Sequence, residues 1–277
     1  MTDKSTYTVV FSIAGSDSGG GAGIQGDLKT ISALGCYGAT AITAVTAQNT
    51  MGVTAIFAIP PEIVSAQIVA IMEDMTPSAI KIGMVYSAEL ASILVSTLRS
   101  YTEIPIIFDP VMVATSGHQL IKEDTLQVLK QGLFPICCLI TPNIDEACIL
   151  AGMDIRDVED MKIAAKKIIQ FGSFAVLVKG GHLGTEHLYD VYLDKNGTEH
   201  VFRSKSISSK NAHGTGCSLS SAIATYLAMG ETLIDSIDKA KSYVHEAIHH
   251  GKDVMVGSGY GPINHFFEPK KMLKNRA

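Results

Sequence analysis

Tyr7-Thr-Val-Val-Phe-Ser-Ile-Ala14, then Gly15-Ser-Asp-Ser-Gly-Gly-Gly-Ala-Gly23, then Ile24 to Leu34, reads as strand, glycine-rich turn and helix in direct succession. The first segment is a short continuous apolar run, which suits a strand buried on both faces. A second strand, Gly38 to Ala47, follows the helix, so the chain opens on a strand-helix-strand unit. Such a unit builds parallel sheet.

The alternation continues down the sequence. Helical spacing over Pro61 to Met75 leads to a strand at Ala79 to Gly83, a helix at Ala88 to Arg99 and a strand at Pro105 to Phe108. Glu123 to Leu133, Ile136 to Ile140, Ile144 to Leu150, Met161 to Phe171 and Phe174 to Val178 carry it further. The expected fold class is α/β, a mostly parallel central sheet covered by helices on both faces. Val191 to Leu193 and His200 to Arg203 flank Asn196-Gly197 and predict a β-hairpin. Pro61 falls at a helix start and Gly230 just past a helix end. The helix from Cys217 to Met229 places Leu219, Ile223, Tyr226 and Leu227 on one stripe facing the sheet. No linker, repeat or low-complexity tract divides the sequence, which predicts a single domain over residues 1–277.

Composition narrows the function. A hydrophobic fraction of 47% with 25 glycines and 18% charged residues marks a globular chain with a buried sheet, not a disordered or fibrous one. At 277 residues one core is large enough to bury about three quarters of the unfolded surface. The net charge of -5 and the lack of a basic run argue against a nucleic-acid partner. Thr30 to Pro61 has no charged residue, but its glycines, Gln48, Asn49 and threonines argue against a membrane span; it reads as a helix end plus buried strands. The five cysteines lack the spacing of a disulfide framework or a zinc site, and the first residues lack a signal peptide's pattern, which together predict a cytoplasmic protein with reduced thiols.

The unusual dipeptides follow the strands. Gly15 to Gly23, Gln48-Asn49, Met84, Asp109 to Met112, Thr141 to Asn143 and Lys179 to His182 all lie after strands, and in a parallel sheet such loops share one edge, where ligands bind. His213-Gly-Thr-Gly-Cys217 then opens a helix. The first turn of a helix offers N–H groups to an anion, and its dipole should pull a thiol there from about 8.5 toward neutrality. A phosphate cradle with an ionisable group inside it points to phosphoryl transfer.

These segments resemble a known family. Ile13 to Gln25, Thr46 to Thr50, Lys81 to Met84, Asp109 to Met112, Thr141 to Ala147, Val178 to His182 and His213 to Cys217 occur in the order found in the hydroxymethylpyrimidine/phosphomethylpyrimidine kinases of thiamine biosynthesis, within the ribokinase-like superfamily. The likeness runs from about Phe11 to His265. Gly26, Ala212 and Ile144-Asp145 depart from the family's usual residues without removing a chemical group that matters here.

The resemblance implies a ribokinase-like three-layer α/β/α sandwich. It implies that ATP, with Mg2+, phosphorylates an aminopyrimidine alcohol and then its monophosphate, with pyridoxal as a possible second substrate, and that the chain is a homodimer. Cys217 would be the general base, and the amides of Gly214, Thr215, Gly216 and Cys217 would hold charge on the transferring group. Gln48 would pair with the aminopyrimidine, because a carboxamide carries an acceptor and a donor side by side. Gly15, Ala22, Met84 and Val111 would complete the substrate pocket. Asp109 and Glu146 would position the metal ion, and Lys179 and Asn143 the ATP phosphates. Asp27 has two readings, reaching the substrate or decorating a helix start. His182 and His213 are assigned structural hydrogen bonds, and His245, His249 and His250 the surface of an amphipathic helix. Tyr260 to Pro262 and His265 match the family's tail without a physical role.

Other functions fit less well. Gly21-Ala-Gly-Ile-Gln-Gly26 satisfies the dinucleotide-binding pattern, yet no acidic residue occurs between Leu28 and Pro61 to hold a ribose. Gly15 to Gly21 lacks the lysine of a Walker loop. A vitamin-binding module without catalysis is separated from a kinase by ATP turnover.

Overall fold

A computed structural model describes residues 5–112, 122–181 and 186–276. In chain order the elements are β1 (Ser5–Tyr7), β2 (Val9–Asp17), α1 (Gly23–Ala33), β3 (Tyr37–Asn49), β4 (Gly52–Ala58), α2 (Pro61–Asp74) and β5 (Ala79–Ile82). There follow α3 (Ala88–Leu98), β6 (Ile106–Phe108), α4 (Glu123–Val128), β7 (Leu139–Ile140), α5 (Ile144–Ala151), α6 (Val158–Ile168) and β8 (Ala175–Lys179). The last are β9 (His187–Asp194), β10 (Glu199–Lys205), α7 (Thr215–Ala228), α8 (Leu233–Gly251) and β11 (Lys274–Arg276). Contacts group them into two compact units: one holds the chain up to Gly83, Glu103–Pro105 and everything from Ile207 onward, and the other holds Met84–Thr102 and Ile106–Ser206.

In the first unit β5, β2 and β3 run parallel and β4 closes the edge antiparallel to β3. Val10, Phe11, Ile13, Ile80 and Ile82 have no exposed surface, as the apolar runs predict. Helix α7 was expected to bury one stripe. It is buried from Ser218 to Tyr226, because α1, α8, β2 and β5 all contact it. Gly230, at φ +92°, ends it where the sequence places the stop.

In the second unit β6, β7 and β8 are parallel, and β9 and β10 form the expected hairpin, its turn held by the Asn196 amide on Asp194 Oδ1. Helices start on side-chain caps: Ser87 for α3, Asn143 for α5 and Asp157 for α6. The mostly parallel sheet with covering helices is the architecture the alternation predicts. One expectation needs correction. The uncharged stretch from Thr30 to Pro61 is not wholly buried strand, since every residue of β4 is exposed.

Candidate active site

The site residues of the first unit gather around Asp17, the last residue of β2. Its Oδ1 accepts the Gly19 amide at 2.8 Å, and Oδ2 accepts the amides of Gly21 (3.1 Å) and Ala22 (2.9 Å) and lies 2.9 Å from His213 Nε2. Burial alone would raise this carboxyl, but the His213 contact and the amide donors outweigh it and hold it below the ordinary carboxylate range. The glycine-rich loop therefore wraps an internal carboxylate. Asp17 carried no role in the sequence reading; its signal is an Asp followed by clustered glycines, the composition of an Asx turn.

Gln48 ends β3. Its amide and carbonyl are both bound to the Ser18 hydroxyl, at 2.8 and 2.6 Å. Its carboxamide reaches His213 Nε2 at 3.3 Å on one side and Thr46 Oγ1 at 3.2 Å on the other. His213 makes hydrogen bonds within the protein, as expected, and its side-chain partners are Gln48 and the loop-holding Asp17.

After His213 the chain turns into α7 through Gly214, whose φ of +84° favours glycine. A Cβ there would lie 1.8 Å from the Gly21 carbonyl oxygen, and one on Gly21 would lie 2.5 Å from His213 Cδ2, so the two loops meet backbone against backbone. The Ser218 amide closes the first turn on the Gly214 carbonyl at 2.8 Å; the amides of Gly216 and Cys217 stand ahead of that bond. The Thr215 amide instead points at the Ala212 carbonyl, 3.3 Å away. Thr215, Gly216 and Cys217 are all half-buried. Burial pushes the thiols of Cys36 (to about 11), Cys137, Cys138 and Cys148 up, as suits inert positions.

Gly15 is buried, with its carbonyl so close to Gly23 that a Cβ on the latter would lie 2.3 Å away; Ala22 is half-buried beside Gly214. Asp27 takes neither role the sequence left open. It has no exposed surface and accepts Lys81 Nζ at 2.8 and 2.9 Å, Ser12 Oγ at 2.5 Å and Ser221 Oγ at 2.7 Å. The tail gains a role: the Gly261 carbonyl accepts the His213 amide at 3.1 Å, and His265 Nε2 lies 3.1 Å from Ser218 Oγ. Burial drops the His265 imidazole to about 4, with Lys29 adding to the effect, so it is neutral.

The second unit holds the acidic and basic candidates together. Asp109 Oδ1, just past β6, accepts Lys179 Nζ at 2.7 Å and Thr141 Oγ1 at 2.9 Å. Asn143 and Glu146 form a reciprocal capping box at the start of α5, and Glu146 Oε1 also accepts the Met112 amide at 3.3 Å. Burial pushes the Glu146 carboxyl up to about 7, with Lys179 opposing and Asp109 reinforcing the rise. Two carboxylates close enough to interact electrostatically, one resisting ionisation, are a donor set that a hard divalent cation suits. Met84 and Val111 are half-buried in this unit, and the Val111 amide turns back on the Asp109 carbonyl at 2.9 Å. His182 lies outside the described residues. His249 and His250 are on the exposed side of α8 as expected.

The phosphomethylpyrimidine kinase family profile matches residues 17–264. The hydroxymethylpyrimidine/phosphomethylpyrimidine kinase of Rhizobium meliloti is 46% identical over 93% of this chain and 97% of its own length. The thiamine biosynthesis bifunctional protein ThiED of Geobacter sulfurreducens is also 46% identical over 92% of this chain, which spans only 52% of that longer protein. Among solved structures, Bacillus subtilis pyridoxal kinase in an ADP complex superposes with a TM-score of 0.86 at 34% identity, over 94% of this chain and 98% of that one. Profile and full-length likeness agree with the order of motifs read from the sequence, and the chain belongs to the phosphomethylpyrimidine kinase family.

Proposed function

We propose that the protein transfers the γ-phosphoryl group of ATP to 4-amino-5-hydroxymethyl-2-methylpyrimidine and then to the resulting monophosphate. The observation that carries this reading is the hydrogen bond between Gln48 and His213, which ties the carboxamide that reads the heterocycle to the turn leading into Cys217.

In the first transfer Cys217 Sγ takes the hydroxyl proton as the alcohol oxygen bonds to the γ-phosphorus and the bond to ADP breaks. The amides at the start of α7, those of Gly216 and Cys217 foremost, hold the charge that builds on the phosphoryl oxygens. Gln48 pairs with the ring nitrogen and amino group, and Gly15, Ala22, Met84 and Val111 enclose the ring. In the second transfer the acceptor is an ionised phosphate, so the step has no proton for Cys217 to remove. Asp109 and Glu146 would hold Mg2+, which neutralises charge on the ATP phosphates when bound. Lys179, released from Asp109, meets those phosphates, and Asn143 orients Glu146. In this reading the whole chain, residues 1–277, is one catalytic domain.

Two features extend the proposal. Among the described residues β4 has a strand neighbour on one side only, and Val53, Ile56 and Phe57 are 49, 56 and 68% exposed. An apolar edge of this kind calls for a cover, and a second copy of the chain supplies it by a two-fold contact. Among the described residues no cysteine is in a disulfide and no helix is long and apolar enough to cross a membrane, which suits the reducing cytoplasm.

The likeness to the Bacillus pyridoxal kinase favours pyridoxal as a secondary acceptor. The test is ATP consumption with hydroxymethylpyrimidine, its monophosphate or pyridoxal, with products identified by mass. Mono- and diphosphate of the pyrimidine are expected. ATP turnover on none of the three would overturn the proposal.

A further inference from the structure

The contacts around Gln48 leave its carboxamide only one consistent orientation. Thr46 Oγ1 lies 2.9 Å from the Ser16 carbonyl and 3.2 Å from one end of the carboxamide. A carbonyl only accepts, so the single hydroxyl proton goes to Ser16, and Thr46 turns a lone pair toward Gln48. That end of the carboxamide must be the NH2. At the other end, His213 Nε2 is 2.9 Å from Asp17 Oδ2. Asp17 is held ionised by His213 and its amide donors and only accepts, so Nε2 carries the proton; that nitrogen keeps no lone pair to accept with, and its one N–H, given mainly to Asp17, is all it can share with Gln48, 3.3 Å away. That end must be the oxygen. The structure draws the amide the other way, with Nε2 toward His213 and Oε1 toward Thr46, which sets N–H against N–H at one end and lone pair against lone pair at the other; exchanging the two atoms relieves both.

We propose that Asp17, His213 and Thr46 are specificity-determining positioning residues that lock the Gln48 carboxamide with its oxygen on the His213 side and its nitrogen on the Thr46 side. This rests on the reading of Gln48 as the residue that meets the heterocycle. A bound ring then faces an acceptor and a donor in fixed order. An exocyclic amine beside an unprotonated ring nitrogen matches that order. The 4-oxo analogue, a carbonyl beside a ring N–H, presents the reverse. A carboxamide free to turn over would serve both rings; a locked one discriminates by chemistry rather than by shape, because turning it sets donor against donor at His213 and acceptor against acceptor at Thr46. The selectivity for the amine therefore resides partly in side chains that do not touch the substrate.

The experiment compares kcat/KM for 4-amino-5-hydroxymethyl-2-methylpyrimidine and its 4-oxo counterpart in wild type, His213→Leu, Thr46→Val, the double variant and Gln48→Leu. Each lock variant should lower the amino-to-oxo ratio, the double variant by about tenfold or more, through KM rather than kcat. Thr46→Val is nearly isosteric and stands alone if His213→Leu fails to fold. If Gln48→Leu raises KM for the amine while the lock variants keep the wild-type ratio, the lock is wrong and the reading of Gln48 survives. An unchanged KM in Gln48→Leu would overturn both.

Discussion

Lys81 and Asp27 form an ion pair with no exposed surface on either side chain, Nζ lying 2.8 Å from Oδ2. Two serines complete the carboxylate's shell, and one of them, Ser221, stands one helical turn beyond Cys217 on α7. The pair therefore fastens the helix that carries the proposed base to β5 and α1. Removing one partner of such a pair strands a charge in the core, which costs about 3–5 kcal/mol. Lys81→Met is expected to lose that much stability in chemical denaturation. Adding Asp27→Asn to it should restore a large part, because the stranded charge is gone while an acceptor for the serines remains. A double variant no more stable than the single would show that the charge is not the issue.

Cys217→Ala should slow phosphorylation of the alcohol by about a hundred- to ten-thousand-fold, the usual contribution of a general base. Phosphorylation of the monophosphate should suffer far less, since that acceptor is already ionised. Single-turnover rates with the two acceptors measure the difference, and equal losses would reject the division of labour.

Glu146 makes a prediction about pH. Its carboxyl is raised from 4.5 to about 7, chiefly by burial. The folded chain thus holds the proton more tightly than the unfolded one; this contribution to stability is complete below 4.5 and is lost as pH rises through about 7. Thermal unfolding without metal should show the decline, and Glu146→Gln should flatten it. Mg2+ needs the ionised carboxylate, so its stabilising effect should be larger at about pH 8 than at about pH 6. A Mg2+ effect indifferent to both pH and Glu146→Gln would remove this residue from the cation site.

On β4, Phe57→Glu or Ile56→Lys should convert the proposed dimer to monomer by placing charge on a strand that the second copy covers. Light scattering coupled to gel filtration reads the mass directly. A wild-type chain that is already monomeric at micromolar concentration would exclude the dimer.

Much of the fold was legible because burial on both faces leaves a plain trace. The runs at β2, β5 and β8 are mostly apolar, and the punctuation at Asn196-Gly197 and Gly230 marks ends by backbone geometry alone. β4 misled because its valine, isoleucine and phenylalanine look like core residues, although nothing among the described residues covers them. α7 misled because a helix buried on all sides by neighbours leaves no polar face to reveal its orientation. At the site, the clustering of Gln48 with the His213 turn and of Asp109 with Lys179 followed from loops after strands. The partnership of Asp27 with Lys81 did not, since it joins residues 54 positions apart and local sequence carries no sign of which buried charge another will meet.

The bonds from Gly261 and His265 to the turn around His213 and Ser218 tie completion of the proposed site to the order of synthesis. A nascent chain already past Cys217 still lacks the carbonyl that holds the His213 amide and the imidazole that meets the first turn of α7. It owns every proposed substrate-binding group, yet the proposed catalytic turn is latched only when residues made some fifty positions later arrive.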